Sequence, residues 1–282
     1  MDTLTFLLPP LAASLILAGI HAYLGLHVVE RGVIFVDLSL AQIAAFGSAV
    51  AILVPAIGGD PHSTGVYWMS LGFTLVGAVV FSTVRGQRAR IPQEAIIGIC
   101  YAVASAATVV AMSKATSETE HLKDMLVGNI LAVSWDEVGK TALLYGAIGL
   151  FHYVFRKRFL ALSFNHDAEP GGTTRWWDFL FYASFGFVVT SSVSIAGVLL
   201  VFSYLIVPSV GAMLYADTIG RRLAVGWTMG TVVSALGVYL SLYLDLPTGA
   251  TIVCTFGLVL ILMSIARVII PRKTPFAIQS RA

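Results

Sequence analysis

The sequence predicts an all-α, polytopic integral-membrane bundle of eight or nine transmembrane helices, and three observations predict it. Hydrophobic residues make up 57% of the chain and charged residues 11%, against roughly 25% charged in a soluble domain, so there is too little polar surface to cover a globule. The apolar residues fall in runs near the ~20 residues that a helix needs to cross a bilayer. The positive charges collect on alternate connections between those runs.

Cutting the chain at its charges and prolines gives nine runs: 4–26, 33–57, 65–84, 94–113, 138–156, 176–195, 197–216, 223–244 and 249–270. The first follows Asp2 and has neither a basic leader nor a small-residue cleavage site, so it is expected to be a retained span. The second opens with RGVIFVDLSLAQIAAFG (31–47), which sets Asp37 and Gln42 among apolar residues where lipid would penalise them. The third and eighth carry Gly72, Gly77, GAVVFS and GTVVSALG, patterns that suit close helix packing. Cys100 in the fourth and Cys254 in the ninth lack a C-x-x-C partner and are expected to be buried free thiols. Before the fifth, Trp135 is placed to anchor at the interface while Asp136 and Glu137 begin a helix. The sixth and seventh run together except near Gly197, which is why eight and nine spans both stand. Asp245, Pro247 and Gly249 predict a tight turn before the ninth. Each run must be helical, because in hydrocarbon every backbone amide needs a partner within its own segment. No repeat or long linker divides the chain, so residues 1–282 read as one polytopic transmembrane domain.

Arg31, then Arg85, Arg88 and Arg90, then Arg156, Lys157, Arg158 and Arg175, then Arg221 and Arg222, and last Arg272, Lys273 and Arg281 lie on one side of this layout. That is 13 of the 17 positive charges, and the positive-inside rule makes that side cytoplasmic. With nine spans the C-terminus is cytoplasmic and the N-terminus external. The opposite connections, GGDPHSTG, KATSETEHLKD and DLPTG, hold only Lys114 and Lys123. The net charge of +2 is too small to suggest nucleic acid.

Enzyme chemistry finds little support. SWDEVGKT (134–141) ends like a phosphate-binding loop, but Ser134 stands where the first glycine is needed. H-E-x-x-H and G-x-S-x-G are absent from the sequence. A membrane aspartyl protease using Asp37 and Asp245 is disfavoured because the layout sets them near opposite faces of the bilayer. Intramembrane ionisable groups are the better lead. With a turn centred near Val29, His21 and Asp37 each lie eight residues from it, about 12 Å deep at 1.5 Å per residue. Facing each other, they would form a transient cation site, a proton-bearing pair or a self-satisfied bond. Alternatively Asp37 completes the first turn of its helix or pairs with Arg31, while His21 bonds a neighbouring backbone group. Gln42 lies about 140° around the helix from Asp37, so the two cannot aim at one point from an ideal helix. An external cluster of Glu118, Glu120, His121 and Asp124 is read as a solvated loop, with a cation funnel as the alternative.

GVLLVFSYLIVPSVGAML (197–214), LGVYLSLYLDLPTGATIV (236–253) and the opening segment, with Gly47 five residues after Gln42, resemble the membrane permease subunit of bacterial metal-ion (zinc and manganese) ABC importers. The resemblance implies a fold like the cobalamin-type importer permeases and a site in the bacterial plasma membrane. It also implies a second permease copy as a homodimer, a cytoplasmic ATPase subunit that uses the ATP, an external metal-binding protein and a divalent cation as cargo. No bound cofactor is implied. An ion-coupled secondary transporter and a permease for a metal chelate are the alternatives. The cytoplasmic stretch 156–177 lies where the family docks its ATPase, so Phe164, Asn165, His166, Asp167 and Glu169 are candidate coupling residues, although the family's acidic, alanine-rich segment is replaced here by SFNHDAEPGG. Pro208 inside an apolar helix predicts a kink. His21, Asp37 and Gln42 are the candidate metal path. The family's Asp-x-x-x-His pair falls at Leu38 and Gln42 here, with Asp37 displaced by one, and an amide is a poorer zinc ligand than an imidazole.

Overall fold

The computed structural model describes residues 3–54, 63–84, 92–113, 130–164 and 172–269. Every regular element in them is helical. In chain order these are α1 (Thr3–Glu30), α2 (Val36–Leu53), α3 (Thr64–Val84), α4 (Gln93–Met112), a single 3-10 turn (Ile130–Ala132), α5 (Trp135–Val154), α6 (Arg156–Phe164), α7 (Gly172–Tyr215), α8 (Ile219–Leu244) and α9 (Thr248–Ile269). Seven are long and apolar enough to cross a membrane, or eight when α5 and α6, bent by 77°, are taken as one broken span.

The count turns on α7. Its 44 residues would measure about 66 Å as one rod, twice a ~30 Å hydrocarbon core. It is two helices joined at Gly197, whose φ of 74° and ψ of 160° leave the helical region. A side chain there would be strained, so glycine makes the break possible. The interruption therefore falls at Gly197. Pro208 lies in the second half, where the backbone dihedrals remain helical.

α7 is the centre of the bundle. It packs on α1, α2, α3, α8 and α9, and it supplies much of the core through Phe181, Tyr182, Phe185, Val201 and Tyr204. α2, α3 and α4 form a second group in which Ser70 donates to the Ala44 carbonyl at 2.8 Å. α1 and α7 approach until a Cβ on Gly25 would run into the Leu205 carbonyl, and the Ser209 hydroxyl there bonds the Ala22 carbonyl at 3.2 Å. The glycine patterns behave unequally: Gly77, Gly230 and Gly237 meet neighbouring helices, while Gly72 faces open space.

α9 and α4 bury little of their surface, and Val103, Val110, Ile261 and Val268 point outward as lipid-facing residues do. This accounts for one departure from expectation. Cys254 is exposed and Cys100 only half-buried, because an apolar run in a membrane protein can be apolar on account of lipid. The SWDEVGKT run begins α5 as a capping box: the Ser134 hydroxyl accepts from the Glu137 amide, and the Glu137 carboxylate accepts from the Ser134 amide. The Asp245 turn forms as expected, with Asp245 left-handed at φ 54° and the Leu246 amide donating to the Ser241 carbonyl at 3.0 Å.

Candidate functional site

Arg31 and Arg222 carry the ionic joints between elements at one end of the bundle. Of these two joints, one is half-buried and one buried. Arg222 pairs with Glu30, tying the start of α8 to the end of α1. Arg31 donates to Asp178 at 3.0 Å, the two side chains being only 3% and 1% exposed. This overturns the alternative in which Arg31 pairs with Asp37.

His21 lies in the interior of α1 and is wholly buried. Its Nδ1 is 2.7 Å from the Leu17 carbonyl one turn back, so Nδ1 carries the proton and Nε2 presents a lone pair. No hydrogen-bond partner reaches Nε2 among the described residues. Asp37, the second residue of α2, is 1% exposed, and its Oδ1 is likewise without a partner. Buried polar groups are ordinarily satisfied, so two orphaned lone-pair atoms call for an explanation.

The pair does not meet in the manner expected. The turn occupies residues 31–35 rather than centring on Val29, so the count of eight residues on either side fails. α1 and α2 do not pack along their lengths; α1 lies on α7, α8 and α5, and α2 on α3, α4 and α7. Instead Tyr145 of α5 lies beside His21. Its ring is 6.3 Å from the His21 ring, edge to face. The Tyr145 hydroxyl bonds the Ser191 hydroxyl at 3.0 Å. Gln42 is half-buried, five residues along α2. No group of three or more His, Cys, Asp or Glu forms a metal cage among the described residues. Tyr145 was missed in the sequence because a tyrosine in an apolar run looks like any other residue of a span.

The basic end holds a second polar cluster. The Ser163 hydroxyl of α6 accepts from Arg31 Nε at 2.8 Å and bonds His27 Nδ1 at 2.7 Å. The Arg31 guanidinium lies 3.8 Å over the Phe181 ring. Beside it, the Tyr23 hydroxyl reaches His152 Nδ1 at 3.2 Å, and His152 Nε2 bonds the Ser184 hydroxyl at 2.8 Å. Of the candidate coupling residues, Phe164 closes α6 and packs edge-on against His27. Asn165, His166, Asp167 and Glu169 lie outside the described residues, as does the Glu118, Glu120, His121 and Asp124 cluster.

A bundle of spans with orphaned lone pairs in its interior and basic joints at one end is the architecture of a membrane permease. Residues 3–267 match the family model "ABC 3 transport family", and the chain belongs to that family. It is the membrane permease of an ABC transporter and is not itself the ATPase; such a permease works with an ATPase and a binding protein. It is 25% identical to the manganese transport system membrane protein MntC of Listeria innocua over 88% of this chain and 86% of that one. It is 25% identical to the chelated iron transport system membrane protein YfeC of Yersinia pestis, over 85% and 79%. PsaBC from Streptococcus pneumoniae, solved with a Fab, shares the fold at a TM-score of 0.74 and 23% identity, covering 92% of this chain and 90% of that one.

Proposed function

We propose that this chain carries a manganese- or iron-type divalent cation inward across the bacterial plasma membrane, with His21 and Asp37 as its transient ligands and Gln42 further along the path. The observation that carries the reading is the pair of buried, unpartnered donors, His21 Nε2 and Asp37 Oδ1. One imidazole and one carboxylate suit such a cation, and too few ligands for tight retention suit a conduit, which must release its ion. A bare cation uses these donors, whereas a chelate arrives with its ligands filled. That favours a free ion over the metal-chelate alternative. A secondary transporter is disfavoured by membership of an ABC family.

The basic end is the cytoplasmic one by the positive-inside rule, and α6 with the residues after it offers the docking surface for the ATPase. A second copy of the chain completes the path. α5 is attached to its own bundle mainly through α1, and a cavity of about 540 Å³ beside it is lined by Tyr23, Tyr145 and His152. Gly139, Gly146 and Gly149 on α5 face open space. Two donors from each of two copies would reach the four to six ligands that divalent cations take.

Uptake of radioactive Mn²⁺ by cells that depend on this permease tests the reading. His21→Ala and Asp37→Ala abolish uptake at equal amounts of permease in the membrane. Wild-type uptake by both variants would leave the pair as scaffolding.

A further inference from the structure

α6 has nine residues, too few to be stable as a helix without tertiary support. Its outer face is charged, with Arg156, Lys157 and Arg158 exposed. Its inner face packs through Phe159 and Phe164 against several rings, and two contacts fix its position. Phe159 stacks on His152 at 4.2 Å. Ser163 places one hydroxyl against both His27 Nδ1 and Arg31 Nε. A serine hydroxyl has one donor and two acceptor positions, so these two partners nearly exhaust it.

Arg31 is the hub of this end. It reaches Ser163 on α6 through Nε, Asp178 on α7 through a terminal nitrogen, and the Phe181 ring through its face. Stability does not explain such a hub, because a buried ion pair is commonly no more stabilising than apolar residues of similar volume. What the hub does specify is position. Two elements, α6 and α7, are tied to one buried guanidinium just after α1, so α6 cannot shift without moving Arg31 or breaking its bonds.

We propose that Ser163, Arg31 and Asp178, with His27, transmit movement of the ATPase-docking segment to α1 and so to His21; this rests on the docking role given to α6 above. They are positioning residues and do not touch the cation. α1 runs as one helix through both His21 and His27, which lie six residues, about 9 Å, apart along its axis. A displacement applied at His27 reaches His21 through a rigid rod. The Tyr23–His152–Ser184 chain adds a second tie between α1, α5 and α7.

The test uses the whole importer, permease with its ATPase and binding protein, in proteoliposomes with Mn²⁺ as the probe, and reads ATP hydrolysed per Mn²⁺ transported. Ser163→Ala removes the shared hydroxyl and leaves the ion pair intact; Asp178→Asn cuts the pair. Both retain ATP hydrolysis, and the ATP used per Mn²⁺ rises at least about 5-fold, the lower end of ordinary coupling between sites. A purely structural role would lower the amount of folded complex and leave this ratio unchanged. An unchanged ratio in Ser163→Ala overturns the proposal even if Asp178→Asn fails to fold. Docking is read separately by cross-linking Arg158→Cys to the ATPase. Without a cross-link the docking role fails, and the transmission falls with it; with a cross-link and an unchanged ratio, only the transmission fails.

Discussion

Replacing Asp37 by asparagine should make the protein more stable and less active. Asp37 is 1% exposed and its Oδ1 has no hydrogen-bond partner among the described residues. Leaving a buried polar atom unsatisfied costs about 1–3 kcal/mol, and more when the group is charged. The amide retains an orphan but is never charged, so the substitution recovers the part of the cost that is due to charge. Against this stands the loss of a carboxylate in the first turn of α2, where the helix dipole favours an anion by about 0.3–1 kcal/mol. The balance favours asparagine by about 1 kcal/mol or more, and in a chain of roughly this size each kcal/mol raises the unfolding midpoint by about 2–4 °C. The assay is thermal unfolding of the purified permease in lipid nanodiscs, beside Mn²⁺ uptake by the same variant. A lower midpoint would show that the Asp37 carboxylate is partnered and structural, and would refute the reasoning.

Three more substitutions probe the frame around the site. Gly197→Ala forces a side chain into φ 74°, ψ 160° and should cost about 1–3 kcal/mol, read as a lower unfolding midpoint; an unchanged midpoint would mean that the break does not need glycine. Ser134→Ala removes the capping box of α5 and should cost about 0.5–2 kcal/mol while uptake stays at the wild-type level. A specific loss of nucleotide binding would instead revive the phosphate-loop reading. Gly25→Ala drives a methyl into the Leu205 carbonyl and should cost about 1–3 kcal/mol or more as overpacking, seen as reduced heat resistance of the assembled permease.

The bundle was legible in the sequence because lipid imposes length and polarity on each span. The Gly197 division, the Asp245 turn and the helix start at Trp135 all follow from local backbone chemistry. The site was only half legible. His21 and Asp37 stood out as costly groups in apolar runs, but their mutual geometry depended on where α1 ends and on which helices pack together. Neither is a local property. The partner of Arg31 is 147 residues away, and no periodicity signals such a contact. Cys254 shows the same gap from the other side: hydrophobicity told that it avoids water, and could not tell protein from lipid.

ATP-driven uptake by defined proteoliposomes tests the central claim most directly. Permease, ATPase and binding protein together should accumulate Mn²⁺ in a manner stopped by vanadate, and His21→Ala or Asp37→Ala permease should not accumulate it. Accumulation by the permease alone, indifferent to vanadate, or undiminished in both variants, would contradict the account.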